Sequence, residues 1–148
     1  MGFAFLTDAD LIPGGNRNGW WHSQFAATAL TRQRILELHV PRAVFTACAY
    51  TARSTAVAGD RWILAGDAAL SMDPLSSSGI AFALDSGLPA APAIGSDLAA
   101  DYSSWVESVE QSYFSGREYY YNLETRWSES TFWRRRCVAH RPTSLTRD

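Results

Sequence analysis

The sequence contains no lysine and only two cysteines. All 13 of its basic residues are arginines, and 15 acidic residues bring the formal net charge to −2. So small a charge provides no field that would attract nucleic acid or an anionic membrane. Cys48 and Cys137 lie far apart with no second thiol near either one. This spacing argues against a cysteine-based metal site or redox pair and predicts two reduced, buried thiols.

Long apolar runs and a basic leader are also missing. No apolar stretch reaches the roughly 18 residues of a membrane span, and residues 1–9 lack the basic start of a secretory signal. We therefore expect a cytoplasmic protein without a membrane partner. The 148 residues are 47% apolar, which suits one domain with a real hydrophobic core and excludes the disordered and collagen-like classes.

Short patterns predict the elements of the first 65 residues. Strands are expected at residues 3–6, at residues 44–51, where β-branched and aromatic side chains are dense, and at residues 61–65, where the strand should be buried. A helix is expected over residues 20–34, with Asn18 as its N-cap.

Two further helices are expected after residue 77. In the first, Pro89 and Pro92 should kink or split the helix, and its apolar stripe consists of Ile80, Ala83, Leu84, Leu88, Ala91 and Ile94. The second runs from about residue 102 to 127, and its apolar face consists of Trp105, Val109, Tyr113, Tyr120, Leu123 and Trp127. Beyond it the chain ends in a basic tail from about Arg141.

The most informative segment covers residues 66–80. It places a carboxylate, Asp67, at the end of the expected buried strand and a glycine, Gly79, at the start of a helix. Such an arrangement puts an acceptor and free backbone N–H groups beside one crevice. Asp67 can then accept hydrogen bonds from polyol or ribityl hydroxyls, and the helix start offers positive potential to an anionic oxygen or a halide. Gly66 permits close approach of the backbone, and Pro74 fixes the direction of the loop.

This segment resembles a known flavin signature. Gly66-Asp67-Ala68-Ala69, Asp73-Pro74 and Gly79-Ile80 resemble the second flavin motif of FAD-dependent monooxygenases of the para-hydroxybenzoate hydroxylase type. The resemblance is closest to the branch with tryptophan halogenases and the flavoproteins that help to mature quinone-containing amine dehydrogenases and amino acid oxidases. Those relatives typically have Asp-Pro-Leu-Ser-Ser-Gln-Gly-Ile, where this chain has Ser78 in place of the Gln.

The resemblance implies a mixed α/β fold that is the carboxyl-terminal portion of a para-hydroxybenzoate-hydroxylase-like FAD fold, with few strands and a long carboxyl-terminal helix. The Gly-x-Gly-x-x-Gly turn that holds the FAD pyrophosphate in that family does not occur here, so the Rossmann front is expected to be absent and the chain to be truncated. The implied parts of this partial domain are a substrate-domain remnant at 1–60, an FAD-contacting strand, loop and helix at 61–100, and a helix with a basic tail at 101–148.

The resemblance also implies a function. In the family, reduced FAD activates dioxygen, and an aromatic substrate is oxygenated or halogenated. The substrate would be a small aromatic molecule or a tryptophan in a peptide or protein. Asp67 would bind the ribityl chain, and the backbones of Ser78 and Gly79 would face the pyrimidine edge of the flavin or a halide. The complete set of implied cofactor-binding residues is Gly66, Asp67, Pro74, Ser77, Ser78, Gly79 and Ile80. No catalytic residue and no metal ligand is predicted, and a halogenase lysine would have to lie outside this sequence.

The residues alone leave other interpretations open. Asp73 is more typical of a turn before Pro74 than of an acid or base, and the tyrosines at 119–121 are more typical of packing than of a pocket. His22, His39 and His140 form no metal pattern. The alternative function is a non-catalytic remnant or interaction module that no longer binds FAD. Exposed apolar surface would then favour association of the chain.

Overall fold

A computed structural model describes residues 4–35 and 44–137. These residues form two compact units, which separate between Ala47 and Cys48. Phe3, His39, His140 and the predicted basic tail from Arg141 lie outside the described residues.

The first unit contains two short helices, α1 (Arg17–Ala27) and α2 (Leu30–Arg34). The predicted N-cap at Asn18 is wrong, because the side chain of Asn16 caps α1 by accepting a hydrogen bond from the Gly19 N–H at 2.9 Å. Asn18 Oδ1 instead accepts the Val44 N–H at 3.0 Å. The predicted strand at residues 44–51 is also wrong. A strand needs a neighbouring edge with which to pair, and these residues pair with none in the described part of the chain.

The second unit combines two small antiparallel ribbons with three helices. Strand β1 (Ala52–Arg53) pairs with β4 (Leu70–Ser71), and β2 (Ala58–Gly59) pairs with β3 (Trp62–Ile63). The helices are α3 (Gly79–Ala93), α4 (Ala99–Asn122) and α5 (Thr131–Cys137). A mixed α/β fold with few strands and a long helix towards the carboxyl terminus is thus confirmed.

The predicted buried strand at residues 61–65 is only partly present. Strand β3 has two residues, and Trp62 is 46% exposed. The reason is its topology, since β3 is one arm of a two-stranded hairpin and not the centre of a parallel sheet, where both faces would be covered. The predicted burial of Cys48 is likewise wrong, although both cysteines are free thiols.

The hydrophobic core lies where α3 and α4 pack around Leu70. Phe82 of α3 stacks on Trp105 of α4 with ring centroids 5.8 Å apart, and the Tyr102 hydroxyl donates to the Leu64 carbonyl at 2.6 Å. Because the chain buries this polar tip with a partner, Tyr102 can be almost fully enclosed. The buried core consists of Val57, Ala69, Leu70, Phe82, Ala90, Ala93, Tyr102 and Val106.

Helix α3 buries a different row of side chains from the one predicted. Ile80, Leu84 and Leu88 are 80%, 73% and 78% exposed. The buried side chains of α3 are Phe82, Ser86, Ala90 and Ala93. The mostly small residues on that face let neighbouring backbone come close. The helix is not split at the two prolines, since α3 runs without interruption from Gly79 to Ala93.

Helix α4 ends earlier than predicted, and its predicted face is confirmed only in its first half. Trp105 and Val109 pack against the core. The helix stops at Asn122, and Tyr120, Leu123 and Trp127 are 71%, 60% and 57% exposed. The side chains that α4 buries are Tyr102, Val106 and Tyr121.

Among the described residues, no helix is both long enough and apolar enough to cross a membrane.

Truncation of a core residue and of a residue on the exposed face should have opposite consequences. Val106 is fully buried, whereas Leu84 is 73% exposed. Val106→Ala should lower the free energy of unfolding by about 2 kcal/mol, because it leaves a cavity. Leu84→Ala should change it by less than about 0.5 kcal/mol. Urea unfolding followed by circular dichroism measures the free energy of unfolding of both variants. A larger loss for Leu84→Ala than for Val106→Ala would indicate that the predicted row of α3 is the buried one.

Candidate functional site

The Gly66 turn (Gly66–Ala68) is held tightly against α3. Gly66 has φ 57°, and its N–H donates to the buried Ser86 Oγ at 2.8 Å. A Cβ at Gly66 would lie 3.3 Å from the Ala83 Cβ. Both the positive φ and the close approach favour glycine, so the predicted role of Gly66 in bringing backbone close is consistent with its position.

Asp67 follows on this turn with its side chain exposed. Within the described part of the chain, no hydrogen bond or ion pair to its carboxylate is present. The turn that carries Asp67 is therefore fixed by Gly66, while its acceptor oxygens remain available to an external donor. As an acceptor, this carboxylate can bond the hydroxyls of a diol or polyol.

The Asp73 loop (residues 73–78) joins β4 to α3. Asp73 Oδ1 accepts the Leu75 N–H at 2.9 Å, and Pro74 begins a short 3₁₀ turn. The predicted turn role of Asp73 is thus confirmed. Ser77 then has φ 55° and donates its N–H to the Pro74 carbonyl at 3.1 Å. A non-glycine residue rarely adopts this conformation, so the loop must be stabilised by its surroundings.

The N-terminus of α3 lies at the end of this loop. Its first amides have no carbonyl in a preceding helical turn to bond, and the Ser78 side chain does not cap them. The Ser78 N–H already donates to Ser76 Oγ at 3.2 Å, which makes Gly79 the better donor of the predicted pair. Ile80 is exposed beside it. The helix start therefore offers uncapped donors to a carbonyl or anionic oxygen.

The two halves of the predicted site both adjoin α3. The Gly66 turn contacts α3 at Ala83 and Ser86, about 6 Å and about 10 Å along the helix axis from Gly79. Asp67 is thus carried by a turn on the flank of α3, and the loop of Pro74 and Ser77 leads to the start of the same helix. The Asp67 carboxylate can accept hydrogen bonds from hydroxyl groups, and the first amides of α3 can donate hydrogen bonds to an oxygen atom. The assignment of these residues to a cofactor remains a prediction.

Sequence patterns did not identify the groups that support this loop from α4. Tyr121 donates its hydroxyl hydrogen to Asp73 Oδ2 at 2.5 Å, and Arg117 Nε lies 3.7 Å from the same oxygen. The Tyr113 hydroxyl accepts the Asp73 N–H at 2.9 Å. We call these four residues the Asp73 cluster. The spacing of four residues between the three α4 side chains was a usable signal, because it places them on one helical face.

The electrostatics of the cluster are visible at Tyr121. Burial of the ring raises the pKa of Tyr121 from 10.0 to about 12, and the hydrogen bond and negative charge of Asp73 act in the same direction. The hydrogen bond and positive charge of Arg136 lower the pKa of Tyr121 and so act in the opposite direction. The phenol is therefore a neutral donor to the carboxylate across the physiological range. It suits a structural or orienting role better than that of a base.

Comparison with curated proteins finds two partial relatives. The chain is 40% identical over 80 residues to a putative FAD-dependent oxidoreductase, LodB, of Marinomonas mediterranea, an alignment that covers 52% of this chain and 22% of that protein. It is 41% identical over 61 residues to a menaquinone reductase of Mycolicibacterium smegmatis, which covers 40% of this chain and 15% of that protein. The chain thus spans less than a quarter of either relative.

These relatives define the class to which the chain is similar. Both are named as oxidoreductases, and one of them as FAD-dependent. The partial homology supports a relationship with FAD-dependent oxidoreductases and gives no support to the halogenase branch in particular. No family model matches the chain, and no solved structure matches it.

The raised pKa of Tyr121 predicts a loss of stability in alkali. In the unfolded chain the phenol ionises near its ordinary pKa of 10.0, whereas in the folded chain it ionises at about 12. As the pH rises, the unfolded state therefore releases this proton before the folded state does. The contribution of the Tyr121 phenol to the free energy of unfolding is complete below pH 10 and declines as the pH rises towards 12. At about pH 11 the parent should have lost about 1 kcal/mol more than Tyr121→Phe.

Urea unfolding at about pH 9 and about pH 11 measures this difference. Tyr120→Phe is the matched control, because Tyr120 is the neighbouring tyrosine and is 71% exposed. It should lose as much stability as the parent does. Equal losses in all three proteins would show that Tyr121 ionises as it does in the unfolded chain.

Proposed function

We propose that this chain is the carboxyl-terminal flavin-contacting segment of an FAD-dependent oxidoreductase. The observation that carries the proposal is the exposed Asp67 carboxylate on a turn that Gly66 fixes against α3, a helix whose first residues are not capped by a side chain. Asp67 would accept hydrogen bonds from ribityl hydroxyls. Gly79 would donate its N–H to a carbonyl oxygen of the isoalloxazine ring.

The residues fit one portion of FAD better than the other. Hydroxyls and ring carbonyls match the acceptor and donors of the site in chemical type. The sequence has no Gly-x-Gly-x-x-Gly turn for the pyrophosphate, whose two charges are usually held by such a turn and its helix. When bound, the flavin supplies the redox chemistry, and these residues hold and orient it.

The reaction, the substrate and the location are proposed from the resemblance of the sequence. The reaction would be oxygenation, and the substrate a small aromatic molecule or a tryptophan in a peptide or protein. The enzyme would be cytoplasmic. Halogenation has less support, since neither of the two relatives carries such a name.

A second candidate function has one observation in its favour. Ile80, Leu84 and Leu88 form an exposed apolar row along α3, as expected for an interaction module that associates through this face. Such a module would not need the Asp67 carboxylate, so the two candidates differ in the result of flavin titration.

Removal of the Asp67 carboxylate should weaken flavin binding. Hydrogen bonds to a charged acceptor contribute about 1.5 to 3 kcal/mol, so Asp67→Ala should raise the Kd for FMN about tenfold or more. Titration of the ¹⁵N-labelled chain with FMN, followed through its amide shifts, detects even millimolar binding. The shifts should concentrate at residues 66–68 and 78–80.

Asp97→Ala is the matched control, because Asp97 is an exposed carboxylate just beyond the far end of α3. It should leave the FMN affinity unchanged. FAD should bind with an affinity within about threefold of FMN, because the extra phosphate meets no dedicated site. The assignment of Asp67 would be wrong if Asp67→Ala bound FMN as the parent does. Absence of any shift would overturn the proposed function.

The chain expressed alone should be colourless after purification. A few contacts to the ribityl and isoalloxazine groups must first offset the several kcal/mol of lost translational and rotational freedom. FAD should therefore dissociate during gel filtration and leave no flavin absorption band. A yellow protein with one FAD per chain would contradict this expectation and would indicate a pyrophosphate site among these residues.

A further inference from the structure

We infer that Tyr113, Arg117 and Tyr121 of α4 are positioning residues for the flavin-facing loop, acting through Asp73. The inference rests on the proposed function, since that function defines what the loop faces. It assigns a role to three side chains that lie outside the flavin motif. Each of them reaches Asp73, and Asp73 is the residue at which the loop begins.

The first argument is that both carboxylate oxygens of Asp73 are occupied by different parts of the chain. Oδ1 accepts the Leu75 N–H at 2.9 Å and so shapes the loop itself. Oδ2 accepts the Tyr121 hydroxyl hydrogen at 2.5 Å and lies 3.7 Å from Arg117 Nε. Because the carboxylate is planar and rigid, fixing Oδ2 from α4 also fixes the direction in which Oδ1 points.

The second argument is that the backbone of Asp73 is held as well. Its N–H donates to the Tyr113 hydroxyl at 2.9 Å, and this hydroxyl also bonds Thr51 Oγ1 at 2.7 Å. Tyr113, Arg117 and Tyr121 succeed one another at intervals of one helical turn, over about 12 Å of α4. One face of the long helix therefore contacts the start of the loop through three successive side chains.

The third argument concerns burial. Asp73 is 8% exposed and Tyr121 is 7% exposed. The Arg117 guanidinium lies 5.0 Å from the centre of the Tyr121 ring. Water therefore competes weakly for the hydrogen bond between Tyr121 and Asp73. The loop they support contains Ser77 in a left-handed conformation, which persists only where surrounding structure determines it. The Gly79 amide follows two residues later.

Removal of one hydroxyl tests this inference in the full chain. Tyr121→Phe should increase hydrogen exchange at the amides of residues 75–79 about fivefold or more, with little change at the buried core amides of α3. The same variant should raise the Kd for FMN about threefold to tenfold, and the FMN-induced shift of the Gly79 amide should become smaller. Tyr120→Phe removes the same atom from the adjacent exposed tyrosine and should behave as the parent in all three measurements.

Each outcome separates a positioning role from a purely structural one. Exchange that rises equally throughout α3 and the loop would show that Tyr121 merely stabilises the fold, and would overturn the inference. Unchanged exchange together with unchanged FMN affinity would also overturn the inference.

If Tyr121→Phe fails to fold, Tyr113→Phe removes the acceptor of the Asp73 N–H and is expected to give the same local pattern. A parent chain that shows no FMN-induced shifts would overturn the proposed function and this inference together. A parent that binds FMN while both variants leave the loop unchanged would overturn this inference alone.

Discussion

The carboxylate of Asp73 is the group on which the arrangement of the second unit depends. It is buried, it shapes its own loop through the Leu75 N–H, and it receives Tyr121 and Arg117 from α4. A buried carboxylate without such partners would be strongly destabilising. The requirement to satisfy it therefore fixes the loop, and with it the start of α3, relative to α4.

A second constraint acts further along α3, at Ala83 and Ser86. A Cβ at Gly66 would lie 3.3 Å from the Ala83 Cβ, and Ser86 supplies the acceptor for the Gly66 N–H. The side chains that α3 buries are Ser86, Ala90 and Ala93 with a single large residue, Phe82. The buried face of this helix is thus not its more hydrophobic one.

These two constraints explain how far the sequence was informative. It predicted the helices α3 and α4, the scarcity of strands and the turn at Asp73, because periodicity and turn chemistry are local properties. It favoured the wrong row of α3, since the row of Ile80 is the more hydrophobic one. It also placed Tyr120 instead of Tyr121 on the packed face of α4, since these neighbours differ only in the direction in which the helix points them.

The same reasoning separates the site from its support. The predicted donors and acceptors all lie within residues 66–80, so a short motif can reveal them. The side chains that orient this motif lie about 40 residues further along, in α4, and they touch it at Asp73. A motif of this kind specifies which atoms meet a ligand, whereas their relative positions depend on α4. A chain that kept residues 66–80 but lost the hydroxyls of Tyr113 and Tyr121 would therefore still carry the motif, but the amides proposed to meet a ligand would no longer be held in place.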